Sequence, residues 1–346
     1  MAYTTINKGS SYFNTVLYTG TGASLANTGV GFKPDWVWIK GRSGATDHGL
    51  YDAVRGVQKQ FESNNTDQET TETTGLTAFG SDGFTVGALA QLNTSSATYV
   101  AWNWLGANTT VSNTSGTITS TVSANTTSGF SIVSYTGNQV AGATVGHGLG
   151  VKPDLMIVKL RTGDVAEPLV YHKSLGATKA VKLNETSVPI TNSTIWNNTE
   201  PTSTVFSVGT SNNVNHIHPL IAYCFSEVKG YSKFSSYTGN GSADGTFVYT
   251  GFKPAFVMVK ASSATGFWVI KDNKRTNSFN VVDGNLYPNV NYAEDTGAVA
   301  YMDLLSNGFK LRGTYAAMND SGQTNIYMAF AENPFVTSGG IPVTAR

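Results

Sequence analysis

Two short patterns in this chain have residue types that could do chemistry. His216 and His218 would lie on one face of a strand, which is how two imidazoles reach one metal ion. No Asp or Glu flanks the pair, and the other histidines are distant in sequence. Cys224 is the single cysteine, so it excludes an intramolecular disulfide, and no matched histidine would activate it as a nucleophile. We therefore expect a surface or inter-domain histidine pair, a buried thiol, and no metal, cofactor or catalytic residue.

A third pattern is an Asp followed three residues later by an Arg, and it occurs twice. An Asp and an Arg at this spacing can pair within a turn and brace it. A general acid would need a second carboxylate held nearby, and the sequence identifies none. We interpret both pairs, and two tryptophans in a strongly apolar segment, as structural. These predicted structural residues are Trp36, Trp38, Asp52, Arg55, Asp272 and Arg275.

The segment 59–77 is the best candidate for a binding loop, because it is long, polar and rich in Asn, Gln, Glu and Thr. Long loops on rigid β-sandwiches commonly carry binding. The alternative is a loop that packs against a neighbouring protein, and the sequence leaves both possibilities open. The candidate binding residues are Asn64, Asn65, Asp67, Gln68, Glu69 and Glu72.

The elements that must position these residues recur three times along the chain. Each copy has a Tyr-Thr-Gly turn, then a Gly-x-Lys-Pro corner, then a lysine six residues after the proline, and an alanine in an aromatic-rich final strand. The turns begin at Tyr18, Tyr135 and Tyr237, the lysines are Lys40, Lys159 and Lys260, and the alanines are Ala101, Ala222 and Ala329. Such regular self-similarity is typical of arrayed modules, which bind or build more often than they catalyse.

The segments after the three corners, 35–40, 154–160 and 255–260, are apolar at consecutive positions. This pattern is typical of a strand packed between two layers. No window shows a capped helical period, and the chain is rich in Thr, Ser, Asn and Gly. We predict an all-β fold of three tandem antiparallel β-sandwich modules. The predicted boundaries are an N-terminal arm over 1–12, modules over 13–105, 129–229 and 230–346, and a Thr/Ser/Asn-rich connector over 106–128 that is either ordered or a disordered linker.

Composition excludes several function classes. Of the 346 residues only 13% are charged, and 22 acidic residues balance 22 basic ones. This balance gives no basic footprint for nucleic acid or anionic lipid. The sequence shows no secretory signal, and no stretch approaches the roughly 18 apolar residues of a membrane span. We expect a soluble protein that is made in a cytoplasm and not exported by a classical route.

Several long runs of the sequence are distinctive. They are GVGFKPDWVWIKGRS, STVSANTTSGFSIVSYTGN, EVKGYSKFSSYTGNGSADGTFVYTGFKPAFVMVK and IYMAFAENPF. Together they resemble a family of bacteriophage virion structural or tail-fibre-like proteins, common in marine tailed phages, across essentially the whole chain. The resemblance implies repeated jelly-roll or concanavalin-like β-sandwich modules and supplies no functional residues.

The resemblance and the repeats predict a non-enzymatic virion protein on the particle surface, tail- or fibre-associated and contributing to host attachment. The alternative is a capsid decoration or head-fibre protein. A glycan depolymerase is less favoured, because its mechanism needs paired carboxylates that the repeats do not provide. The expected partners are other virion proteins, a host-surface glycan or receptor, and further copies of the chain, with a trimer as one option. Nucleic acid and membrane insertion are not expected.

Overall fold

The computed structural model of the chain describes residues 3–275, 280–297 and 299–342. The fold is nearly all β, built from several antiparallel sheets, and this confirms the all-β sandwich prediction. Residues 1–2 of the predicted N-terminal arm and residues 343–346 of the third predicted module lie outside the described residues.

Short strands follow one another along the whole chain, and each helix in the described ranges is a single turn. The first part contains β1 (Phe13–Thr19), β2 (Leu25–Thr28), β3 (Trp36–Gly41), β4 (Gly49–Asp52), β5 (Lys59–Gln60), β6 (Thr70–Thr71), β7 (Leu76–Gly80), β8 (Gly83–Val86) and β9 (Thr98–Trp104), with a 3-10 turn (Gly9–Ser11) and α1 (Ala90–Asn93). The middle part contains β10 (Val111–Asn113), β11 (Ser120–Asn125), β12 (Phe130–Thr136), β13 (Ala143–Gly146), β14 (Leu155–Leu160), β15 (Leu169–His172), β16 (Lys179–Lys182), β17 (Ile190–Thr191), β18 (Val205–Val208) and β19 (Pro219–Phe225), with α2 (Ser193–Trp196) and α3 (Asn212–Asn215). The last part contains β20 (Ser232–Thr238), β21 (Phe247–Tyr249), β22 (Phe252–Ala261), β23 (Trp268–Asp272), β24 (Met302–Leu305), β25 (Gly308–Leu311) and β26 (Thr324–Pro334), with α4 (Ala316–Asn319).

Three sets of four strands share one strand order. The first sheet is β1-β9-β3-β4, the second sheet contains β12-β19-β14-β15, and the third sheet is β20-β26-β22-β23. Strands β10 and β11 extend the second sheet on one side, and β16 and β17 extend it on the other. Among the described residues, three smaller outer sheets, β2-β8-β7, β13-β18 and β21-β25-β24, accompany them, and β5 pairs with β6 in a further two-stranded sheet. The three apolar segments after the Gly-x-Lys-Pro corners thus take equivalent places as β3, β14 and β22.

The interior strands β3 and β14 are apolar on both faces because each contributes to two cores, and both faces of β22 are buried in one continuous core. In β3, Trp36 and Trp38 enter a large core shared by all three sheets. The alternate residues Val37 and Ile39 point the other way, into a local core with Phe84 of the outer sheet. Side chains alternate across a strand, so a strand between two apolar layers needs an unbroken apolar run.

The shared core is aromatic, and its rings join each pair of sheets. Ring centroids lie 4.3 Å apart for Trp36 and Tyr223, 5.7 Å apart for Phe225 and Phe330, and 5.8 Å apart for Trp104 and Phe256. Aromatic pairs at these separations contribute beyond the area they bury. The three sheets therefore enclose one common interior.

Strand register corrects the sequence alignment of the final strands. The repeated lysines Lys40, Lys159 and Lys260 pair with Val100, Ile221 and Ile326. The residue that matches Ala101 and Ala222 is consequently Tyr327, and the alignment on Ala329 was wrong by two positions. A two-residue shift leaves every side chain on its original face, so alternation alone could not reveal it.

The Thr/Ser/Asn-rich segment 106–128 is ordered. Its strand β11 pairs with β12 along six residues, from Ser120 to Asn125. Val122 is buried, and Ile118 bridges to Val145 of the outer sheet. The segment is therefore part of the second sheet, and its few apolar side chains pack into the core of that repeat.

The N-terminal segment packs on the third sheet. Ile6 is buried in the shared core, and the Tyr3 hydroxyl donates to the carbonyl of Gly251 at 2.7 Å. Tyr12 lies edge-on to Tyr231, with ring centroids 6.0 Å apart. The start of the first sheet is thereby tied to the third.

Phe256 and Phe247 provide a matched test of the shared core. Phe256 is fully buried, whereas Phe247 is 44% exposed on an outer strand. We expect Phe256→Ala to lower the free energy of unfolding by about 3–5 kcal/mol and Phe247→Ala by less than about 1 kcal/mol. Urea unfolding followed by tryptophan fluorescence measures both. Equal losses for the two variants would contradict a common aromatic interior.

Candidate functional site

A buried asparagine holds each Tyr-Thr-Gly turn. In the first copy Asn93 accepts a hydrogen bond from the Thr21 amide at 2.8 Å and donates to the carbonyl of Gly87 at 2.8 Å. The Tyr18 hydroxyl donates to the carbonyl of Leu92 at 2.7 Å. The equivalent asparagines are Asn215 and Asn319, and Tyr135 and Tyr237 make the equivalent hydroxyl contacts. The Tyr-Thr-Gly turn is thus a structural feature, fixed by a buried asparagine. Sequence reasoning missed this asparagine although it recurs in every copy.

The first Asp-Arg pair lies where the first sheet meets the second, in a cluster that we name the first clamp: Asp52, Arg55, Glu69, Arg161 and Tyr223. Arg55 pairs with Asp52 and also donates to Glu69 at 3.2 Å and to the Tyr223 hydroxyl at 3.2 Å. The Tyr223 hydroxyl donates to Asp52 at 2.8 Å. Arg161 of the second sheet donates to both oxygens of Glu69 at 2.9 Å. Charge-assisted, bidentate contacts of this kind fix geometry strongly.

The second Asp-Arg pair forms the second clamp, where the third sheet meets the first: Asp272, Arg275, Glu294, Arg42 and Trp102. Arg275 pairs with Asp272 at 2.6 Å and with Glu294 at 2.8 Å. Arg42 of the first sheet pairs with Glu294 at 2.6 Å, and the Trp102 indole donates to Asp272 at 2.9 Å. The two clamps therefore have the same plan, with Trp102 in place of Tyr223.

The contact between the second and third sheets uses different groups. His172 stands where the clamps have Asp, and its Nε2 lies 3.1 Å from the carbonyl oxygen of Tyr327. Leu175 stands where they have Arg, and Met328 where they have Tyr or Trp. Tyr223 and Trp102 each donate a hydrogen bond to the clamp aspartate, but Met328 has no polar hydrogen to donate. A neutral side chain in place of the aspartate is therefore suited to this contact. Burial lowers the pKa of His172 to about 4, which keeps this imidazole neutral.

Arg55, Asp272 and Arg275 are stabilised in their charged forms although they are buried. Burial acts against the charge of Arg55, but Asp52, Tyr223 and Glu69 outweigh it and raise the pKa of Arg55. Burial likewise acts to raise the pKa of Asp272, and the Arg275 charge outweighs it, so the pKa of Asp272 is lowered. Buried charges persist only when they are paired and hydrogen-bonded in this way.

The three repeated lysines are also buried, and two of them reach across a contact between sheets. Lys159 donates to the carbonyl of Asn65 at 3.1 Å, and Lys260 donates to the carbonyl of Thr186 at 3.1 Å, each reaching a loop of the preceding sheet. Lys40 donates to the carbonyl of Gly41 at 2.8 Å. Burial lowers the pKa of all three lysines to about 8.

The predicted binding loop lies against the second sheet. Asn64 donates to Asp47 at 2.7 Å, the carbonyl of Asn65 accepts from Lys159, and Gln68 accepts from the Gly163 amide at 3.1 Å. Glu69 belongs to the first clamp. Asp67 and Gln68 are exposed, and Glu72 is half-buried. The structure thus uses much of the loop for packing within the chain, and a ligand for its exposed residues remains a prediction.

The remaining candidates have ordinary surroundings. His216 and His218 stack with ring centroids 5.0 Å apart. Among the described residues, no group of three or more His, Cys, Asp and Glu side chains could hold a metal ion. Cys224 is fully buried, and burial raises the pKa of its thiol, which disfavours the reactive thiolate. Within the same residues no helix is long and apolar enough to cross a membrane.

Comparison with known proteins places this arrangement in a family. The chain matches the model of a domain of unknown function, DUF7483, over residues 8–334. The chain belongs to the DUF7483 family. One family model therefore spans all three sheets and both clamps of this DUF7483 protein. No curated protein matches the chain significantly.

Glu69 tests whether the clamp stabilises this DUF7483 protein. Its carboxylate is shared by two guanidinium groups, so Glu69→Gln leaves the buried Arg55 short of negative charge. We expect the free energy of unfolding to fall by about 2–4 kcal/mol. Glu72→Gln, in the same loop but outside the clamp, is the control and should cost within about 0.5 kcal/mol. Similar values for the two variants, measured by urea unfolding, would exclude a stabilising clamp.

The buried lysines predict an unusual pH dependence. Burial lowers the pKa of Lys271 to about 7, so four lysines titrate below the value of about 10.4 expected in the unfolded chain. Between these values the unfolded chain binds more protons, and the free energy of unfolding therefore rises with pH. We expect the Tm to rise between about pH 7.5 and 9.5, and Lys159→Met to reduce the slope. A Tm that is flat or falls over this window would contradict the prediction.

Proposed function

We propose that this DUF7483 protein is a non-enzymatic structural protein of a bacteriophage virion. It is displayed on the particle surface, associated with the tail or a fibre, and contributes to host attachment. The proposal is supported by the resemblance of long sequence runs to phage virion proteins. It is also supported by a fold whose charged side chains brace one sheet against the next.

The arrangement of Asp52 and Glu69 around Arg55 carries the non-enzymatic part of the proposal. A glycan hydrolase leaves space between its two carboxyl groups for the sugar ring and water, and keeps one of them protonated. Here the Arg55 guanidinium occupies the space between the two carboxylates and donates to both. Asp272 and Glu294 flank Arg275 in the same way. Both carboxyl pairs are therefore held as ion-pair partners.

The shared core supports a role outside the cell. A particle-surface protein must keep its shape without disulfides when the chain is made in a reducing cytoplasm. The single cysteine is buried, and the sheets are held together by ring contacts between Trp36 and Tyr223, Phe225 and Phe330, and Trp104 and Phe256. A rigid, closed body of this kind suits a protein that presents loops or strands to a partner.

Immunogold labelling of purified virions tests the proposal. The sample is a tailed phage that encodes a DUF7483 protein, and a phage without the gene is the control. We expect gold particles on the tail or its fibres. Label confined to the capsid shell would make the protein a decoration or head-fibre component, and unlabelled virions would overturn the virion assignment. New reducing ends in host glycans after incubation would overturn the non-enzymatic assignment.

A further inference from the structure

The outer face of strand β21 presents two large exposed rings. Phe247 is 44% exposed and Tyr249 is 55% exposed, while Val248 between them is buried. Residues two apart on a strand point to the same face and lie about 7 Å apart. Gly308 pairs with Tyr249 on the neighbouring strand, and Phe247 Cε2 lies 3.1 Å from the place that a Cβ on Gly308 would occupy. The two rings thus lie opposite Lys310 and Gly308 on the neighbouring strand, and only Gly308 leaves the backbone beside them uncovered.

The internal repeats show that the fold does not need aromatic residues here. Val248 pairs with Phe309, just as Asn27 pairs with Phe84 and Val145 pairs with Phe206. This register makes Phe247 and Tyr249 equivalent to Ala26 and Thr28 on the first outer sheet, and to Thr144 and Gly146 on the second. Two small-residue versions of the same strand pack without exposed rings, so the rings of the third are available for a partner.

A groove lined by threonines, apolar side chains and the charged residues Glu227 and Lys229 continues from this face. The Tyr3 hydroxyl lies 3.5 Å from the Tyr249 hydroxyl, and Tyr3 also lines a groove of about 490 Å3. Exposed residues of the groove include Thr5, Thr126 and Lys229. The Lys229 ammonium stands 4.6 Å from the centre of the Tyr3 ring, and Lys229 also lines the groove. Hydroxyl groups and a charge therefore lie next to rings that face solvent.

We propose that Phe247, Tyr249 and the adjoining groove form a binding site for an oligosaccharide. The apolar face of a pyranose ring stacks on an exposed aromatic ring, while its hydroxyl groups need polar partners at the edge. The row of rings beside threonine hydroxyls supplies both, and pockets of this volume are of the size that small ligands fill. This inference rests on the proposed attachment function and names the class of ligand for it.

Binding is tested with the full chain, both free and clustered on beads. The probes are the hexasaccharides of glucose, galactose and N-acetylglucosamine, and the O-polysaccharide of the bacterium that the phage infects. A single site of this exposure binds weakly, and clustering raises avidity ~10²–10⁴-fold. We expect saturation-transfer NMR to show contact with at least one probe, and beads to retain it.

The variants take their residues from the sister strand. Phe247→Ala with Tyr249→Thr installs the residues that the first outer sheet already carries, and we expect the affinity to fall at least about tenfold. Tyr249→Phe keeps the ring and should keep binding to within about threefold. Tyr292→Ala removes another exposed tyrosine, 54% exposed and outside this face, and should leave affinity unchanged.

Each outcome decides the inference. Loss of binding in the double variant, with a Tm near that of the parent and with Tyr292→Ala unaffected, supports the site. If the double variant does not fold, the comparison of Tyr249→Thr with Tyr249→Phe decides in the same way. Binding to none of the probes, or equal binding by the double variant, overturns the site. Virion labelling on the tail without glycan binding would overturn this inference alone, whereas unlabelled virions would overturn the proposed function.

Discussion

The arrangement of the three inner sheets depends on their being apolar on both faces. A half-solvated antiparallel sheet needs one covering layer, but β3, β14 and β22 each need two. One layer is the outer sheet of the same repeat, and the other is supplied by the two neighbouring sheets through the aromatic interior around Trp36 and Phe256. Removing one sheet would expose the inner faces of the other two. Burial of apolar surface in the shared core therefore couples each sheet to the other two.

Polar groups specify how the sheets meet. Burial of apolar surface holds the sheets together but defines their relative orientation only weakly. The clamps define this orientation because each guanidinium has only a few allowed positions against its carboxylates. The first clamp fixes the position of the first sheet relative to the second, and the second clamp fixes the third sheet relative to the first. The His172 contact joins the second sheet to the third, so that each sheet contacts both of the others. Each sheet thus offers one type of surface to the sheet that follows and another to the sheet that precedes it.

The sequence predicts a large part of this fold. Consecutive apolar residues correctly indicate strands between two layers, and the Tyr-Thr-Gly and Gly-x-Lys-Pro landmarks fall at equivalent places in the three copies. The final strand was misaligned by two residues in the third copy, since a shift by two changes no side chain's face. Asn93 and its equivalents were missed because the turn amides that they hold, such as that of Thr21 at 72 residues from Asn93, are far away in sequence.

The site residues were predictable only in part. The spacing of Asp52 and Arg55 indicates a pair within a turn, and the structure contains that pair. Glu69 and Arg161 are 92 residues apart, and nothing in the local pattern links them. The sequence did not predict the exposed rings of Phe247 and Tyr249 either. An alternating pattern shows which residues share a face of a strand but not which face is covered by the rest of the protein.

The order of the sheets gives this chain a freedom that an assembly of identical subunits lacks. In a symmetric trimer a single substitution appears three times, so a change that suits one contact must suit all of them. Here each contact is encoded by its own codons. His172, Leu175 and Met328 differ together at one contact while the clamps keep their charges at the other two. One face can likewise acquire aromatic rings without exposing three such patches to unwanted association.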